Sequence, residues 1–362
     1  MLAQDEAFAR IRLLRSPNVG PVSYRQLLRR FGDAQAALEA LPDLAGRGGG
    51  GYRAAPETRI ADEIAAVRKA GAKYLFHDAP DYPALLGELD SAPPILTFRG
   101  DAALAARPCV AIVGARNASA AAVKLARQLA GDLADAGLVV VSGLARGIDG
   151  AAHRAALSGG TIGVIASGID VAYPPEHADL QEAVASQGLL LAEQPPGTEP
   201  LARHFPSRNR IIAGLAAGTV VVEAAPKSGS LITARLAGEA GREVMAVPGS
   251  PLEPRSQGCN QLIRDGAVLV QSAADVIELV SSFDGSPRSH FREDAASYTP
   301  LPDDLDLAPA DIAALLTVAP IGVDELIRQS GESAAAVQLA LLELELAGRL
   351  VRHAAGRVSL VG

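Results

Sequence analysis

Between residues 109 and 282, short apolar runs alternate with alanine-rich stretches of helical period. The runs read, in chain order, CVAIVG, LVVVSG, TIGVIAS, LLLAEQ, TVVVEA, EVMAVPG and AVLVQS. Runs that are apolar at every position are typical of strands with both faces covered. Their alternation with stretches such as AAAVKLARQLAGDLADAG therefore predicts an α/β domain, an extended Rossmann-like, doubly wound and mostly parallel sheet with helices on both faces.

Two smaller regions flank this domain. Residues 1–70 have a helical pattern around the turn PNVGP, which resembles a SAM-like or helix-hairpin-helix unit. The Rossmann-like domain is assigned to residues 71–283, and its first part, residues 74–100, is proline-rich and predicted to be irregular. Residues 284–304 lack apolar periodicity and are predicted to be a linker. Residues 305–362 predict three helices followed by a β-hairpin, which is the order of a winged-helix domain.

The composition disfavours several classes of protein. Hydrophobic residues make up 49% of the 362 positions, but there is no Trp, so small aliphatic side chains must build the core. No run of about 18 apolar residues predicts a membrane span, and the N-terminus lacks the apolar segment of a signal peptide. Cys109 and Cys259 have no metal-site spacing and fit a reducing compartment. We therefore expect a cytoplasmic protein without a cofactor, a metal or a membrane partner.

The charge is distributed unevenly along the chain. The formal net charge is −8, which by itself argues against a nucleic-acid partner. Yet residues 99–127 and residues 203–235 each contain five basic residues and one acid. The expected recognition helix of the winged-helix region, Ser333 to Ala347, carries two glutamates and no basic residue. Because a phosphate-contacting surface is basic, this pattern favours DNA contact by the central domain and a protein-contact or structural role for the winged helix.

Loops that follow the parallel strands should meet at one edge of the sheet, where such folds bind ligands. Glycine amides, hydroxyls and cationic side chains on these loops can each hold a phosphate. One such loop is also an ordinary strand-to-helix turn, but several cationic loops on one edge favour a row of phosphates, as in a polynucleotide. The candidate DNA-binding residues on these loops and on the basic run RHFPSRNRIIAGL are Gly114, Arg116, Asn117, Ser142, Arg146, Ser167, Arg208, Arg210, Lys227, Ser228, Gly229 and Ser230.

Patterns of catalytic residues are sparse. The turn at Gly114 lacks two glycines of the dinucleotide fingerprint, and PKSGS lacks the P-loop spacing. The serines lack a nucleophile elbow, and the histidines lack metal-site spacing. His153 is expected to pack in a helix, and Asp149, which follows Arg146, is expected to form an Arg–Asp pair that shapes its loop.

Six blocks in order resemble the DNA-processing protein A (DprA/Smf) family. The blocks are Gly114-Ala115-Arg116, SGLARGIDGAAH, FPSRNRIIAGL, SGSLITA, VPGS and GCNQLIRDGA. A single G-x-R is uninformative, but six ordered blocks on a doubly wound pattern are specific, and the resemblance covers most of the chain. The flanking regions also resemble the SAM-like and winged-helix domains that members of this family carry.

The resemblance implies a non-enzymatic protein that binds single-stranded DNA, protects incoming DNA in natural transformation and loads the RecA recombinase. It also implies a homodimer formed through the Rossmann-like domain. The family's DNA pocket uses an Arg and a Lys that correspond here to Arg116 and Lys227.

Some members of the family have a further Lys after a Tyr-Pro pair. Here Tyr173-Pro174 is followed by Pro175 and Glu176, so we expect Arg146 or Arg208 to supply that charge. Because few aromatic residues are present, base stacking is expected to contribute less than in OB-folds, with Tyr173 and Phe205 as the candidates.

Two other functions remain open at the level of the sequence. A Rossmann-like nucleoside-monophosphate phosphoribohydrolase of the lysine-decarboxylase-like type has the loop PGGxGTxxE with a catalytic glutamate. Aligning Gly229-Ser230 with its Gly-Thr places Thr233 where that acid is needed. The other alternative, a nucleotide-sensing regulator with a DNA-reading winged helix, is disfavoured by the acidic third region.

Overall fold

The structure is a computed structural model that describes residues 2–46, 52–281, 283, 312–353 and 356–361. The helices are α1 Gln4–Arg15, α2 Pro21–Phe31, α3 Ala34–Gly46, α4 Glu57–Lys69, α5 Ala84–Gly87, α6 Ala120–Asp135, α7 Ile148–Ala156, α8 Ala178–Gln187, α9 His204–Leu215, α10 Gly229–Glu239, α11 Gln257–Arg264, α12 Ala273–Ser281, α13 Val323–Ser330 and α14 Ala334–Leu346. The strands are β1 Lys73–Phe76, β2 Ile95–Gly100, β3 Cys109–Val113, β4 Val139–Ser142, β5 Thr161–Gly168, β6 Leu189–Gln194, β7 Gly218–Val221, β8 Glu243–Ala246, β9 Val268–Leu269, β10 Ile321–Gly322, β11 Leu350–His353 and β12 Arg357–Leu360.

The chain divides into two compact units. The larger unit comprises residues 63–294, and the smaller one combines residues 1–62 with residues 295–362. The predicted linker at residues 284–304 lies outside the described residues.

The larger unit is built on one sheet with the strand order β1-β2-β6-β5-β4-β3-β7-β8-β9. Strands β3 to β9 pair in parallel, for example with Ala111 of β3 opposite Thr219 of β7. Only the two strands at one side, β1 and β2, run antiparallel to their neighbours within this part of the described chain. The predicted doubly wound, mostly parallel sheet is therefore confirmed.

Strand β3 shows why its sequence is apolar at every position. Ala111 and Val113 pack into one core layer, which also contains residues of α9, α10 and α11. Val110 and Ile112 pack into a second layer, with residues of α6, α7 and α12. Because each face is covered by helices, no position of the strand is left for a polar side chain.

The proline-rich segment at residues 74–100 differs from the prediction of irregular structure. It contributes β1 and β2, which pair with each other and extend the sheet at β6. Its four prolines lie between the two strands, outside the residues that pair, so they do not interrupt the sheet. The basic run that precedes β7 is also regular, since it forms α9.

The smaller unit contains α1 to α3 and the winged-helix elements β10, α13, α14, β11 and β12. Strand β12 pairs with β10 and β11 to form the wing sheet. Of the three helices expected from the sequence, the second and third are α13 and α14. The end of the first forms a single 3-10 turn at Ala313–Leu315, and residues 305–311 lie outside the described residues.

Helix α14 is mostly apolar and largely buried, and its leucines pack on two sides. Leu341 and Leu344 pack into the core of the winged helix, whereas Leu342 and Leu346 join the core formed by α1 to α3. Asn18 adds a polar contact, because its Nδ2 donates to the carbonyl of Leu346 at 3.0 Å. Because both of these sides are packed, the expected recognition helix joins the two ends of the chain into one unit.

Leu346 should stabilise both parts of this unit. Its side chain is fully buried, so Leu346→Ala should lower the free energy of unfolding by about 2–5 kcal/mol through reduced apolar burial and the cavity that remains. Hydrogen exchange should then rise in α1 to α3 as well as in α13 and α14.

Val351 on β11 provides the control, because it is 40% exposed and Val351→Ala should change stability by less than about 0.5 kcal/mol. Faster exchange confined to α13 and α14 in Leu346→Ala would contradict the shared core.

Candidate nucleic-acid interface

Strands β3, β4, β5 and β7 all end at one edge of the sheet, which we call the carboxyl edge. Their loops lie close together there because the chain has glycine where the backbones approach. A Cβ on Gly114 would lie 2.6 Å from Cγ1 of Ile148 and 3.1 Å from the carbonyl oxygen of Glu223. The loop after β3 is therefore packed between the loops that follow its two neighbouring strands.

A pocket of about 220 Å³ opens at this edge, and we call it the basic pocket. Three arginines line it: Arg116 and Arg146, which are exposed, and Arg208, which is buried. Glu176 is the one carboxylate among its lining residues. The surplus of guanidinium groups suits an anionic ligand.

Arg116 rests on an aromatic platform. Its guanidinium carbon lies 5.0 Å from the centroid of the Phe205 ring, and the Phe205 and Tyr173 centroids are 5.7 Å apart. A cation–π contact of this kind contributes about 0.5–1 kcal/mol at an exposed site. Among the described residues, no carboxylate forms an ion pair with Arg116. The aromatic ring therefore orients the guanidinium and leaves its charge uncompensated.

The loop after β4 is held from both sides by buried charges. The amide of Gly143 donates to Oδ2 of Asp149 at 3.1 Å. Nη1 of Arg208 donates to the carbonyls of Gly143, at 2.6 Å, and Val164, at 2.5 Å. Burial lowers the pKa of Arg208 to about 10, although the nearby Asp149 charge counteracts it. Burial also raises the pKa of Asp149, and Arg208 is the charge that opposes this most.

Two expectations from the sequence need correction here. The cationic neighbour of Asp149 is Arg208 and not Arg146, whose Nε lies 3.7 Å from Oε1 of Glu176. Arg208 was expected to project towards DNA from a basic run, but its side chain turns inward and binds backbone carbonyls. A sequence pattern gives the charge of a helix residue but not the layer into which it points.

Gly147 joins this loop to the loop of Arg116. Its φ of +73° is a conformation that L side chains rarely adopt, and a Cβ there would lie 2.2 Å from the carbonyl oxygen of Ala115 and 2.7 Å from that of Arg116. The amide of Ile148 donates to the same Ala115 carbonyl at 3.3 Å. The backbone that carries Arg116 is thus seated directly on the loop after β4.

Glu223 is a residue of the carboxyl edge that is absent from the candidates chosen by sequence. Its Oε1 accepts the Ser119 amide at 3.0 Å, and its Oε2 accepts the Ser119 hydroxyl at 2.6 Å. Dinucleotide-binding folds hold a phosphate at this helix N-terminus, whereas here the chain's own carboxylate lies there. In the sequence, Glu223 is the one acid of the basic segment at residues 203–235. Its place at the end of a strand run was the available signal.

The loop after β7 carries Lys227 away from the basic pocket. Ser228 caps α10 by accepting the Ser230 amide at 3.4 Å, and Lys227 is exposed. Lys227 lines a second and larger concavity, of about 1080 Å³, together with Arg235 and Arg264. We call it the Lys227 groove. The structure therefore places Arg116 and Lys227 on adjacent loops of the same edge but in different concavities.

The other predicted residues divide into exposed and buried groups. Asn117 and Gly229 are exposed on the loops, beside Arg116 and Lys227 respectively. The hydroxyls of Ser142 and Ser167 are turned inward and donate to the carbonyls of Ile112 and Val171.

Arg210, Thr233 and His153 also have side chains that point into the larger unit. Nη2 of Arg210 donates to Oε1 of Glu193 at 2.5 Å in a largely buried ion pair. Thr233 is buried on α10. His153 is buried beside Oγ1 of Thr161, at 2.8 Å, and burial lowers its pKa to about 3.

Across the described ranges, no helix combines the length and the apolar character needed to cross a membrane. The same residues contain no group of three or more His, Cys, Asp or Glu side chains placed to hold a metal ion.

Gly147→Ala should disturb the loop of Arg116. The new methyl group would collide with two carbonyl oxygens in a backbone conformation that alanine disfavours, so stability should fall by about 1–3 kcal/mol. Thermal unfolding measures this loss.

Gly131→Ala is the matched control, because Gly131 lies within α6 with open space around its Cβ position. That change should stabilise the protein by about 0.5–1 kcal/mol through helix propensity. Equal stability of the two variants would show that the loops do not nest as described.

Three family models match this chain. The model described as DNA recombination-mediator protein A matches residues 73–281. A DprA-like N-terminal HHH domain matches residues 4–66, and a DprA winged helix domain matches residues 296–356.

Individual relatives agree with these models. The DNA processing protein DprA of Streptococcus pneumoniae is 48% identical over 198 residues, which are 54% of this chain and 70% of that protein. The X-ray structure of DNA processing protein A from Streptococcus pneumoniae has a TM-score of 0.65 and 36% identity, and the match covers 78% of this chain and 99% of that one.

A second structure is that of DNA processing protein A from Helicobacter pylori, described as giving insight into its single-stranded DNA binding mode. Its TM-score is 0.54 at 30% identity, over 59% of this chain and 97% of that one. The domain models, the curated relative and the two structures lead to the family that the six sequence blocks predicted: the chain belongs to the DNA-processing protein A (DprA/Smf) family.

Proposed function

We propose that this protein binds single-stranded DNA, without regard to sequence, along the carboxyl edge of its sheet. The observation that carries the proposal is Arg116, an exposed cation that rests on Phe205 and forms no ion pair with a carboxylate of the described chain. Arg146 adds a second exposed guanidinium to the same pocket. These groups would bind phosphates, and phosphate contacts carry no sequence information.

The two concavities favour a chain of phosphates over a single nucleotide. Arg116 lines the basic pocket and Lys227 lines the neighbouring groove, so one mononucleotide would not engage both. Glu223 also occupies the helix N-terminus where a compact phosphate site would form. An extended backbone that passes from the pocket to the groove would meet a cation in each.

Stacking would contribute a smaller share of the affinity. The Phe205 ring is covered by the guanidinium of Arg116, which leaves Tyr173, 41% exposed, as the better platform for a base. One stacked base contributes about 1–3 kcal/mol. The small number of aromatic residues at this edge fits binding that is dominated by charge.

The wider role follows from the family. The H. pylori relative is described as binding single-stranded DNA, and the matching family model is described as a recombination mediator. We therefore propose a non-enzymatic cytoplasmic protein that protects incoming DNA in natural transformation and loads the RecA recombinase onto it. Faster RecA filament formation on single strands coated with a single-strand-binding protein would support this role, and an unchanged rate would oppose it.

Arg116→Ala and Lys227→Ala should each weaken the binding of an oligo-dT and of a mixed-sequence oligonucleotide to the same extent. Removal of one charged hydrogen bond costs about 1.5 kcal/mol, or roughly tenfold in affinity. The slope of log K against log salt should also become shallower by about 0.7 for each phosphate that the protein no longer neutralises. Fluorescence anisotropy across a salt series measures both quantities.

Arg127→Ala removes the same charge from an exposed site on α6, two turns away from the carboxyl edge, and should leave affinity within about twofold. The assignment of Arg116 fails if its alanine variant binds as tightly as Arg127→Ala.

We further propose that two copies associate through the Rossmann-like unit at β9. This strand ends the sheet, and Leu269 on it is 46% exposed beside the Lys227 groove. An exposed apolar side chain at the end of a sheet is suited to burial against another copy. Such a dimer would place two Lys227 grooves next to each other.

Leu269→Asp should convert a dimer into a monomer, because a charge would be buried without a partner in the interface. Light scattering after gel filtration measures the mass. Leu252→Asp, at a more exposed site outside the groove lining, should leave the mass unchanged. A wild-type protein that is monomeric at micromolar concentration would refute this interface.

A further inference from the structure

We propose that Arg208 and Asp149 act as positioning residues, which hold Arg116 in place for DNA and do not themselves bind phosphate. The inference rests on the proposed function, because it concerns how the binding arginine is oriented. It assigns a role to two buried charges that the binding model leaves unused.

The first step is the fixation of the loop after β4. Asp149 accepts the amide of Gly143, and Arg208 donates to the carbonyl of the same residue. Both polar groups of one peptide segment are thus bound by charged side chains, one from α7 and one from α9. Hydrogen bonds to charged groups are stronger than neutral ones, so this loop is held more firmly than an ordinary turn.

The second step is that the loop after β4, once held, also holds the backbone of Arg116. Gly147 lies at the other end of the held loop, and its α-carbon approaches the carbonyls of Ala115 and Arg116 so closely that a Cβ would collide with both. Ile148 donates to the Ala115 carbonyl. Movement of the loop after β4 would therefore move the backbone that carries Arg116.

The third step is that one helix holds Arg116 in two ways. Phe205 and Arg208 are three residues apart on α9, and residues at this spacing lie on the same helix face. Phe205 supports the guanidinium of Arg116 directly, whereas Arg208 supports its backbone through Gly143. Helix α9 thus supports both the side chain and the main chain of Arg116.

The competing role for Arg208 is direct contact with phosphate, since it is one of the residues that line the basic pocket. Two of its three guanidinium nitrogens already donate hydrogen bonds to other groups of the protein. Nη1 binds two carbonyls, and Nε donates to Oδ1 of Asn209 at 3.2 Å. The residue is only 6% exposed. This engagement favours a supporting role, and the two roles predict different energetics when Arg116 is absent.

A double-mutant cycle distinguishes them. Arg116→Ala, Arg208→Gln and the double variant are titrated with a fluorescent oligo-dT at fixed salt. If Arg208 acts through Arg116, each single change weakens binding roughly tenfold, and the double variant binds as Arg116→Ala does, because coupled residues are non-additive. If Arg208 binds phosphate itself, the two effects multiply to about a hundredfold, and the proposal is wrong.

Hydrogen exchange distinguishes the two roles further, because a role of Arg208 in phosphate contact alone would not change exchange in the absence of DNA. In the absence of DNA, Arg208→Gln should speed exchange in the segments around Gly143 and Arg116. Arg242→Gln is the control, because Arg242 is also buried and binds a carbonyl and a carboxylate, those of Leu85 and Glu88. It immediately precedes β8, at the opposite edge of the sheet, and its variant should keep wild-type DNA affinity and exchange at the carboxyl edge.

Gly143→Ala provides a second route if Arg208→Gln does not fold. Its Cβ would lie 2.4 Å from Nη1 of Arg208 and would displace that side chain while keeping its charge. DNA affinity should again fall roughly tenfold in the wild-type background and stay unchanged in Arg116→Ala. Unaltered affinity of Arg116→Ala refutes the proposed function. Weaker binding by Arg116→Ala, with wild-type affinity in Arg208→Gln or Gly143→Ala, refutes the positioning role alone.

Discussion

The parallel pairing of β3 with β4 on one side and β7 on the other determines where the loops of Arg116, Gly143 and Lys227 lie. Because the three strands run in one direction, their loops leave the sheet at the same edge. Gly114 and Gly147 then allow these loops to pack backbone against backbone. Arg116 and the Lys227 loop are neighbours as a consequence of strand order, since they are separated by more than a hundred residues along the chain.

Burial divides the charges of this edge into two kinds. Arg208 and Asp149 lie inside, where desolvation costs several kcal/mol per ion and the gain must come from each other and from backbone partners. Arg116, Arg146 and Lys227 lie outside, where a charge costs little and remains available to a ligand. A protein with a net charge of −8 thus presents a local excess of cations at one edge of its sheet.

In the smaller unit, the winged-helix elements share a hydrophobic core with α1 to α3. The recognition helix of a winged-helix domain normally projects from the fold to meet the major groove. Here α14 carries Leu342 and Leu346 into the core of α1 to α3, and Asn18 binds its last carbonyl. The glutamates on this helix agree with that placement, because a surface that reads a DNA groove would need basic side chains. The two ends of the chain therefore contribute side chains to one core.

The sequence by itself determined the doubly wound sheet, the flanking domains and the loops that carry Arg116 and Lys227, because strand runs, glycine turns and ordered motifs are local signals. Only the tertiary structure decided which cations are free. It directed Arg208 and Arg210 inward, made Arg208 rather than Arg146 the main cationic neighbour of Asp149, and brought Glu223 to Ser119. It also formed β1 and β2 from a proline-rich segment. The direction of a side chain depends on packing between elements that are distant in sequence, and no local pattern encodes it.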